Sequence, residues 1–340
     1  MNLVCHIGTP KTATTYLQET CAANPDWLRE NGMVYPDLLS PIANHITLFY
    51  AAAQYVDPSA HAYGLRSMAE VAVFRGTLAD QIRQQIAAAP PGVTTMLMSS
   101  ENLTGNLGGP GVRELACLLR PLFDQVRIVV YLRRQDDAVL SMYGEFMRRG
   151  YHGAPFAEFV ENALRPDPTP PYLNYRRLLG HWIEAFGAQA ITVRLFDRAE
   201  LVDGDVLTDF MAQVLGRRPD LAGLVPSGNG NESLSAPALE FLRLIQPMVP
   251  FQMNNTVNPA RQRLERRINR LPGTPRPQMS ATQSARIMAH YRAANDWLRQ
   301  TFFPDRPGPL FAPRPELPAD SNLGRISLTE FARFTGEMLQ

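Results

Sequence analysis

Short, largely apolar runs alternate with stretches of helical periodicity over the first two thirds of the chain. The run LVCHI (residues 3–7) ends at Gly8, and TTMLMSS (94–100), VRIVVYL (126–132) and AITVRLF (190–196) repeat the theme. Runs of this length with no alternation predict strands buried on both faces. Between them, residues 12–21, VRELACLLRPLF and YRRLLGHWIEAFG carry apolar residues at three- and four-residue intervals, as does VLTDFMAQVLG, which has a glycine just past its end. Strands separated by helices predict an α/β fold, a mostly parallel sheet covered by helices on both faces.

The stretch RRPDLAGLVPSGNGNES is rich in Gly, Pro and Ser and breaks this alternation. Beyond it the chain reads as helices only: SAPALEFLRLIQ, PARQRLERRINRL and SARIMAHYRAANDWLRQTFF, followed by a proline-rich, irregular segment near 304–323. The pattern predicts an α/β core over residues 1–225 and a C-terminal helical lobe over 226–340 that completes the acceptor and cofactor site.

Composition narrows the function. A net charge of +1 over 340 residues argues against a general nucleic-acid binder. No window approaches the length of apolar chain that spans a bilayer, and the start MNLVCHIGTPKT lacks a secretory pattern. Cys5, Cys21 and Cys117 are odd in number and far apart, so they suggest neither a disulfide framework nor a metal site. These features predict a reduced, cytoplasmic protein.

Chemistry concentrates where strands end. The first strand runs into GTPKTATT and then a helix. Such a turn aims consecutive backbone amides at one point, at the positive end of the helix dipole, and so makes an anion cradle. Gly8 and Pro10 shape it, Lys11 adds a full charge, Thr12, Thr14 and Thr15 add hydroxyls, and Ala13 lies between them. It is not a Walker A loop, because no glycine directly precedes Lys11. The shorter loop suits a phosphate or phosphosulfate better than a triphosphate.

The strand VRIVVYL ends at Arg133, with Ser141 eight positions later. A guanidinium fork and a hydroxyl together suit a phosphate monoester, and Arg134 could replace Arg133 if the loop shifts by one. The strand TTMLMSS delivers Glu101 to the same sheet edge, where a carboxylate could take a proton from an acceptor hydroxyl. His45 competes for that role, whereas His6, within the first strand, reads as packed core.

HIGTPKTATTYLQ resembles the 5′-phosphosulfate loop of sulfotransferases that use 3′-phosphoadenosine 5′-phosphosulfate (PAPS), particularly bacterial members and those acting on carbohydrates. The usual form has glycine at the Ala13 position. The Arg133–Ser141 pair resembles the family's 3′-phosphate motif, and SSE before it is similar to many bacterial members. The resemblance implies a P-loop-like fold, PAPS as donor, adenosine 3′,5′-bisphosphate (PAP) as product, no metal, and a small-molecule or glycan acceptor. It assigns Lys11 to the charge that builds on the bridging oxygen and either Glu101 or His45 to the acceptor proton. It also suggests a loop closing on the 3′-phosphate through Asn231 or Ser233.

Other features carry blander readings. The arginine-rich stretch RQRLERRINR is either a cationic wall for an anionic glycan or lipid headgroup, or a solvated helix face. Trp27, Trp182 and Trp297 read as core or interface residues. Two other functions share the pattern. A P-loop kinase or nucleotide triphosphatase would use Glu101 to hold magnesium, and an inert binding protein would have lost one of Lys11, Glu101, Arg133 or Ser141.

Overall fold

The computed structural model describes residues 1–340 apart from 152, 167–170, 228–233, 254–255, 272–274, 315 and 340. In chain order its elements are β1 (Asn2–His6), α1 (Thr14–Ala23), α2 (Pro25–Glu30), β2 (Met33–Val34), α3 (Ile46–Ala52), α4 (Met68–Ala87), β3 (Thr95–Ser99) and α5 (Asn102–Gly105). Next come α6 (Gly109–Leu119), β4 (Val126–Leu132), α7 (Gln135–Arg149), α8 (Phe156–Ala163), α9 (Tyr175–Phe186), β5 (Ile191–Leu195) and α10 (Val206–Leu215). The last part holds α11 (Ala236–Ile245), β6 (Gln252–Met253), β7 (Thr256–Val257), α12 (Pro259–Asn269), α13 (Ala281–His290), α14 (Arg292–Phe302) and α15 (Leu328–Leu339). None of the described helices is long and apolar enough to cross a membrane.

The chain divides into two compact units. The first comprises Met1–Arg133 and Asn174–Gly230; the second comprises Arg134–Leu173 and Asn231–Gln340. The sequence reading drew one boundary at 225/226 and left the segment after β4 with the sheet. The structure instead gives that segment to the helices.

The first unit is built on a parallel sheet of five strands in the order β2-β3-β1-β4-β5, flanked by helices. The α/β class read from the apolar runs is therefore the one observed. All four long runs are strands, displaced by a residue or less at their ends. On one face Val4, Leu97, Val129 and Tyr131 meet Leu17 and Cys21 of α1, Trp27 and Leu28 of α2, and Leu207, Phe210 and Met211 of α10. The residues of opposite parity, among them Leu3, Cys5, Met96, Met98, Ile128 and Val130, are also buried. This two-sided burial is why the sequences of β1, β3 and β4 show no alternation, whereas β5 alternates buried and half-buried positions.

One buried carboxylate braces this unit. Asp209 on α10 is fully enclosed and accepts from the Tyr131 hydroxyl at 2.6 Å, from Arg194 Nε at 3.0 Å and from the Val202 amide at 3.0 Å. A buried charge holds its place only when paired in this way. The arrangement ties α10 to β4 and β5.

The second unit is a helical assembly. The apolar face of α7 (Ala138, Val139, Met142, Tyr143, Met147) is buried, and the Tyr143 ring meets Phe156 and Phe159 of α8 edge to face. Polar staples then join α7 to the far end of the sequence. Gln135 and Asn295 exchange side-chain amide bonds of 2.7 and 3.0 Å. Asp136 accepts from Nε and Nη2 of Arg134, each at 3.1 Å, and from the Ser284 hydroxyl at 2.6 Å. These partners explain why residues 134–173 leave the sheet unit: the helix that crosses over to β5 is α9, and α7 is shaped for helices encoded more than a hundred residues later. The helices-only expectation also changes slightly, because β6 and β7 form a two-residue antiparallel hairpin.

Candidate functional site

The carboxyl ends of β1, β3 and β4 lie side by side in the sheet, the edge at which parallel α/β folds bind ligands. Beyond β1 the chain turns through residues 7–13 into α1. Lys11 and Ala13 both adopt left-handed backbone, with φ of 68° and 61°. Such residues alternate the direction of the peptide units and gather amides toward one side. Ala13 is also the N-cap of α1 and supplies no capping side chain, so the first-turn amides have no cap from that position. A left-handed alanine costs about 1 kcal/mol relative to glycine, and glycine is the residue the resemblance led us to expect there.

The loop is braced from within. Thr9 Oγ1 donates to the Tyr131 carbonyl at 2.7 Å, and Thr12, fully buried, donates its hydroxyl to the Thr9 carbonyl at 2.6 Å. Thr12 thus holds the loop's shape with its hydroxyl, while Thr15 is exposed and Lys11 and Pro10 are half-buried. Gly8 is required sterically: a Cβ there would fall 2.4 Å from Thr14 Oγ1 and 2.9 Å from His6 Cε1. Around it lie buried polar atoms with no hydrogen-bond partner among the described residues, Thr14 Oγ1, His6 Nε2 and Ser100 Oγ. Each such atom costs about 1–3 kcal/mol, a deficit that native proteins tend to carry at functional loops.

The segment after β3 is stitched to the same loop. The Ser100 amide donates to the His6 carbonyl at 3.0 Å, and Thr104 Oγ1 donates to the Gly8 carbonyl at 2.8 Å. Glu101 follows at the N-cap of α5, half-buried. Its Oε2 accepts from Gln18 Nε2 at 3.0 Å, and that same nitrogen lies 3.3 Å from the Ser99 carbonyl and 3.2 Å from Ser99 Oγ. Gln18 sits on α1, so the helix that opens at the anion loop also aims the carboxylate. Sequence reasoning missed Gln18. Its only signal was a polar residue at i+4 from Thr14 on an otherwise buried helix face.

His45 is placed differently. It is 2% exposed, and both ring nitrogens are engaged: Nε2 lies 2.8 Å from the Pro36 carbonyl, and Nδ1 accepts from the Ser99 amide at 3.0 Å. That pattern assigns the proton to Nε2. Burial lowers its pKa from 6.5 to about 4, with the Pro36 carbonyl opposing the shift. A ring already bonded at both nitrogens pins the end of β3. His6 is fully enclosed, its Nδ1 2.9 Å from Ser99 Oγ, and burial lowers its pKa to about 3.

Arg133 stands at the end of β4, half-buried, with Nη1 3.4 Å from the Lys11 carbonyl and its guanidinium 5.9 Å from the Phe196 ring centre. Its own carbonyl accepts from the Tyr175 hydroxyl. The first unit therefore brings together Gly8, Lys11, Thr14, Glu101 and Arg133. Arg134, the alternative cation, is committed to Asp136 in the second unit. Ser141 lies half-buried on α7 of that unit, so its pairing with Arg133 rests on sequence spacing. Asn231 and Ser233 lie outside the described residues. Trp27 and Trp182 are core, the latter stacked on Phe186, and Trp297 is half-buried. Among the described residues no cluster of three or more metal-ligating side chains occurs.

No family model matches the chain. Over 90 residues it is 34% identical to an uncharacterized protein of Archaeoglobus fulgidus, a stretch amounting to 26% of this chain and 22% of that protein, so the chain spans about a fifth of that relative's length. A crystal structure of a sulfotransferase from Alicyclobacillus acidocaldarius is similar with a TM-score of 0.39 and 18% identity, covering 70% of this chain and 87% of that one.

Proposed function

We propose that the protein is a sulfotransferase that takes a sulfuryl group from PAPS and passes it to an acceptor hydroxyl, a carbohydrate by preference, releasing PAP. The observation that carries this reading is the loop after β1. Its left-handed Lys11 and Ala13, its uncapped helix start and the steric need for Gly8 make an anion cradle, and Glu101 is held beside it by Gln18. The residues fit such a donor: left-handed Lys11 and Ala13 and a helix start with no side-chain cap, beside buried polar atoms that have no partner among the described residues. When bound, PAPS supplies a sulfuryl group already attached to a phosphate leaving group.

The chain's own residues supply the rest. The amides of the loop and of the α1 start hold the phosphosulfate end by dipole and hydrogen bonds. Lys11 offsets the negative charge that grows as the leaving phosphate departs. Arg133 takes the 3′-phosphate with its fork. Glu101 accepts the proton of the incoming hydroxyl; it is favoured over His45, whose ring nitrogens are both occupied. Three free thiols, two of them buried, accord with a reducing cytoplasm.

Calorimetric titration with PAP, run beside ATP with magnesium, tests this reading. PAP binding that weakens in Arg133→Ala supports it. Binding of ATP with magnesium in place of PAP would overturn it in favour of the kinase reading, in which Glu101 holds the metal.

A further inference from the structure

The arginine-rich stretch of α12 divides once it is folded. Arg261 is fully buried and donates to the Leu242, Val249 and Met147 carbonyls at 3.2, 3.3 and 3.0 Å, so it is a structural strut. Arg267 donates to the Glu337 carbonyl. Arg266, one turn beyond Gln262 and on the same side, lines a cavity of about 360 Å³ within the second unit. That volume falls in the roughly 300–1,000 Å³ range of small-molecule sites.

The cavity has a definite chemistry. Arg148 and Arg149 of α7 face it together with Arg266, against the carboxylates of Glu145 and Glu265. Glu145 is taken up by Arg149 at 2.7 Å, whereas Arg148 meets Glu265 only at 3.5 Å. Burial raises the Glu265 carboxyl above its ordinary value, and Arg148 and Arg261 offset this only in part. Cationic charge is therefore in excess, and Arg266 has no ion-pair partner among the described residues. Below the charges lies an apolar floor: the Phe251 ring sits 5.5 Å from the Arg149 guanidinium, with Leu234 and Val257 beside it. Gln262 and Asn269 add amide groups at the rim.

We propose that this cavity is a binding site for an acidic saccharide unit, a carboxylate or sulfate carried on a hydroxylated ring. The guanidinium forks take the acid. The Gln262 amide matches a ring hydroxyl, and the ring's apolar face lies against Phe251. The site lies wholly in the second unit, so it stands whether or not the first unit transfers sulfate.

The test is calorimetric titration of the full chain with D-glucuronate, glucose 6-sulfate, D-glucose and inorganic sulfate. Both acidic sugars should bind, with whichever binds more tightly naming the acid; glucose and inorganic sulfate should each bind at least about tenfold more weakly. Arg266→Glu, on an exposed side chain that leaves the packing alone, should weaken the acidic sugars by about tenfold or more. Lys11→Ala should leave that binding unchanged while weakening PAP. Glucose or inorganic sulfate binding as well as the acidic sugars would overturn the proposal. Absence of acidic-sugar binding, or Arg266→Glu without effect, would do the same.

Discussion

The two anion-attracting regions of this molecule are built in opposite ways. The loop after β1 draws on backbone: left-handed residues, an uncapped helix start and a glycine that leaves space, with a single lysine for charge. The cavity of the second unit draws on side chains: three guanidiniums outnumber two carboxylates, with Phe251, Leu234 and Val257 as the apolar part of the lining. A backbone cradle grips any group of the right charge and size, and its donors cannot swing away. A guanidinium cluster is adjustable and salt-sensitive, because its charges are mobile and partly exposed. The first design suits an invariant group such as a donor's phosphosulfate, and the second suits a ligand whose body varies.

The contrast can be broken most severely at Lys11. Lys11→Ala should lower transfer to any acceptor by more than about 100-fold, measured by PAP release, with the second unit's cavity unaffected. Next in size is Arg133→Ala, which should weaken PAP by roughly ten- to a hundredfold, the loss of a charged hydrogen bond of about 1.5–3 kcal/mol; calorimetry reads it directly. Gly8→Ala should cost about 1–3 kcal/mol of stability, because its methyl would fall 2.4 Å from Thr14 Oγ1. A denaturation midpoint equal to wild type would show that the loop has more room than its geometry implies. Ala13→Gly should raise stability by about 1 kcal/mol, visible in the same melt.

Acid should sharpen the comparison further. Burial lowers His6 and His45 from 6.5 to about 3 and about 4. Below 6.5 the unfolded chain therefore binds more protons than the folded one, and the first unit loses stability as pH falls through that window. In the second unit burial would raise Asp136, but the hydrogen bonds from Arg134 and Ser284 outweigh it and the net shift is downward. Its contribution is present above about pH 4 and is lost only as pH drops toward the depressed value. Segment-resolved hydrogen exchange during stepwise acidification should show the first unit losing protection before the second. The reverse order would refute this assignment of the acid-sensitive groups.

What was legible in the sequence follows the same division. Strands β1, β3 and β4 announced themselves because burial on both faces leaves a nearly unbroken apolar run, while β5 alternates buried and half-buried positions. The cradle announced itself because its residue types are consecutive. The unit boundary was hidden, since the features that join α7 to the C-terminal helices are single pairs such as Gln135 with Asn295 and Asp136 with Ser284, which no local pattern reveals. Helix α4 was missed as well: it buries only Val71, Leu78, Ala79 and Ile82 of its twenty residues, a stripe too thin to show as periodicity. Its one clear signal was the Ser67–Glu70 spacing, where the Ser67 hydroxyl does accept from the Glu70 amide. The contacts that set Glu101 apart from His45 come from Gln18, Pro36 and Ser99, residues from distant stretches of chain that no local pattern joins.

The interleaving of the two units has a consequence for biosynthesis. A ribosome delivers β1 to β4 first, then α7 and α8, and only afterwards β5. The sheet thus waits for its fifth strand while an apolar-faced helical segment emerges, and the helices that cover α7 come from the last third of the chain. Domains usually fold in order as they are made; here the second unit can fold only after α11 to α15 have been made. Its α7–α8 segment would be a natural client for chaperones in the meantime, and cutting the gene after Gly230 would keep the first unit's residues together while parting α7 and α8 from the rest of the second.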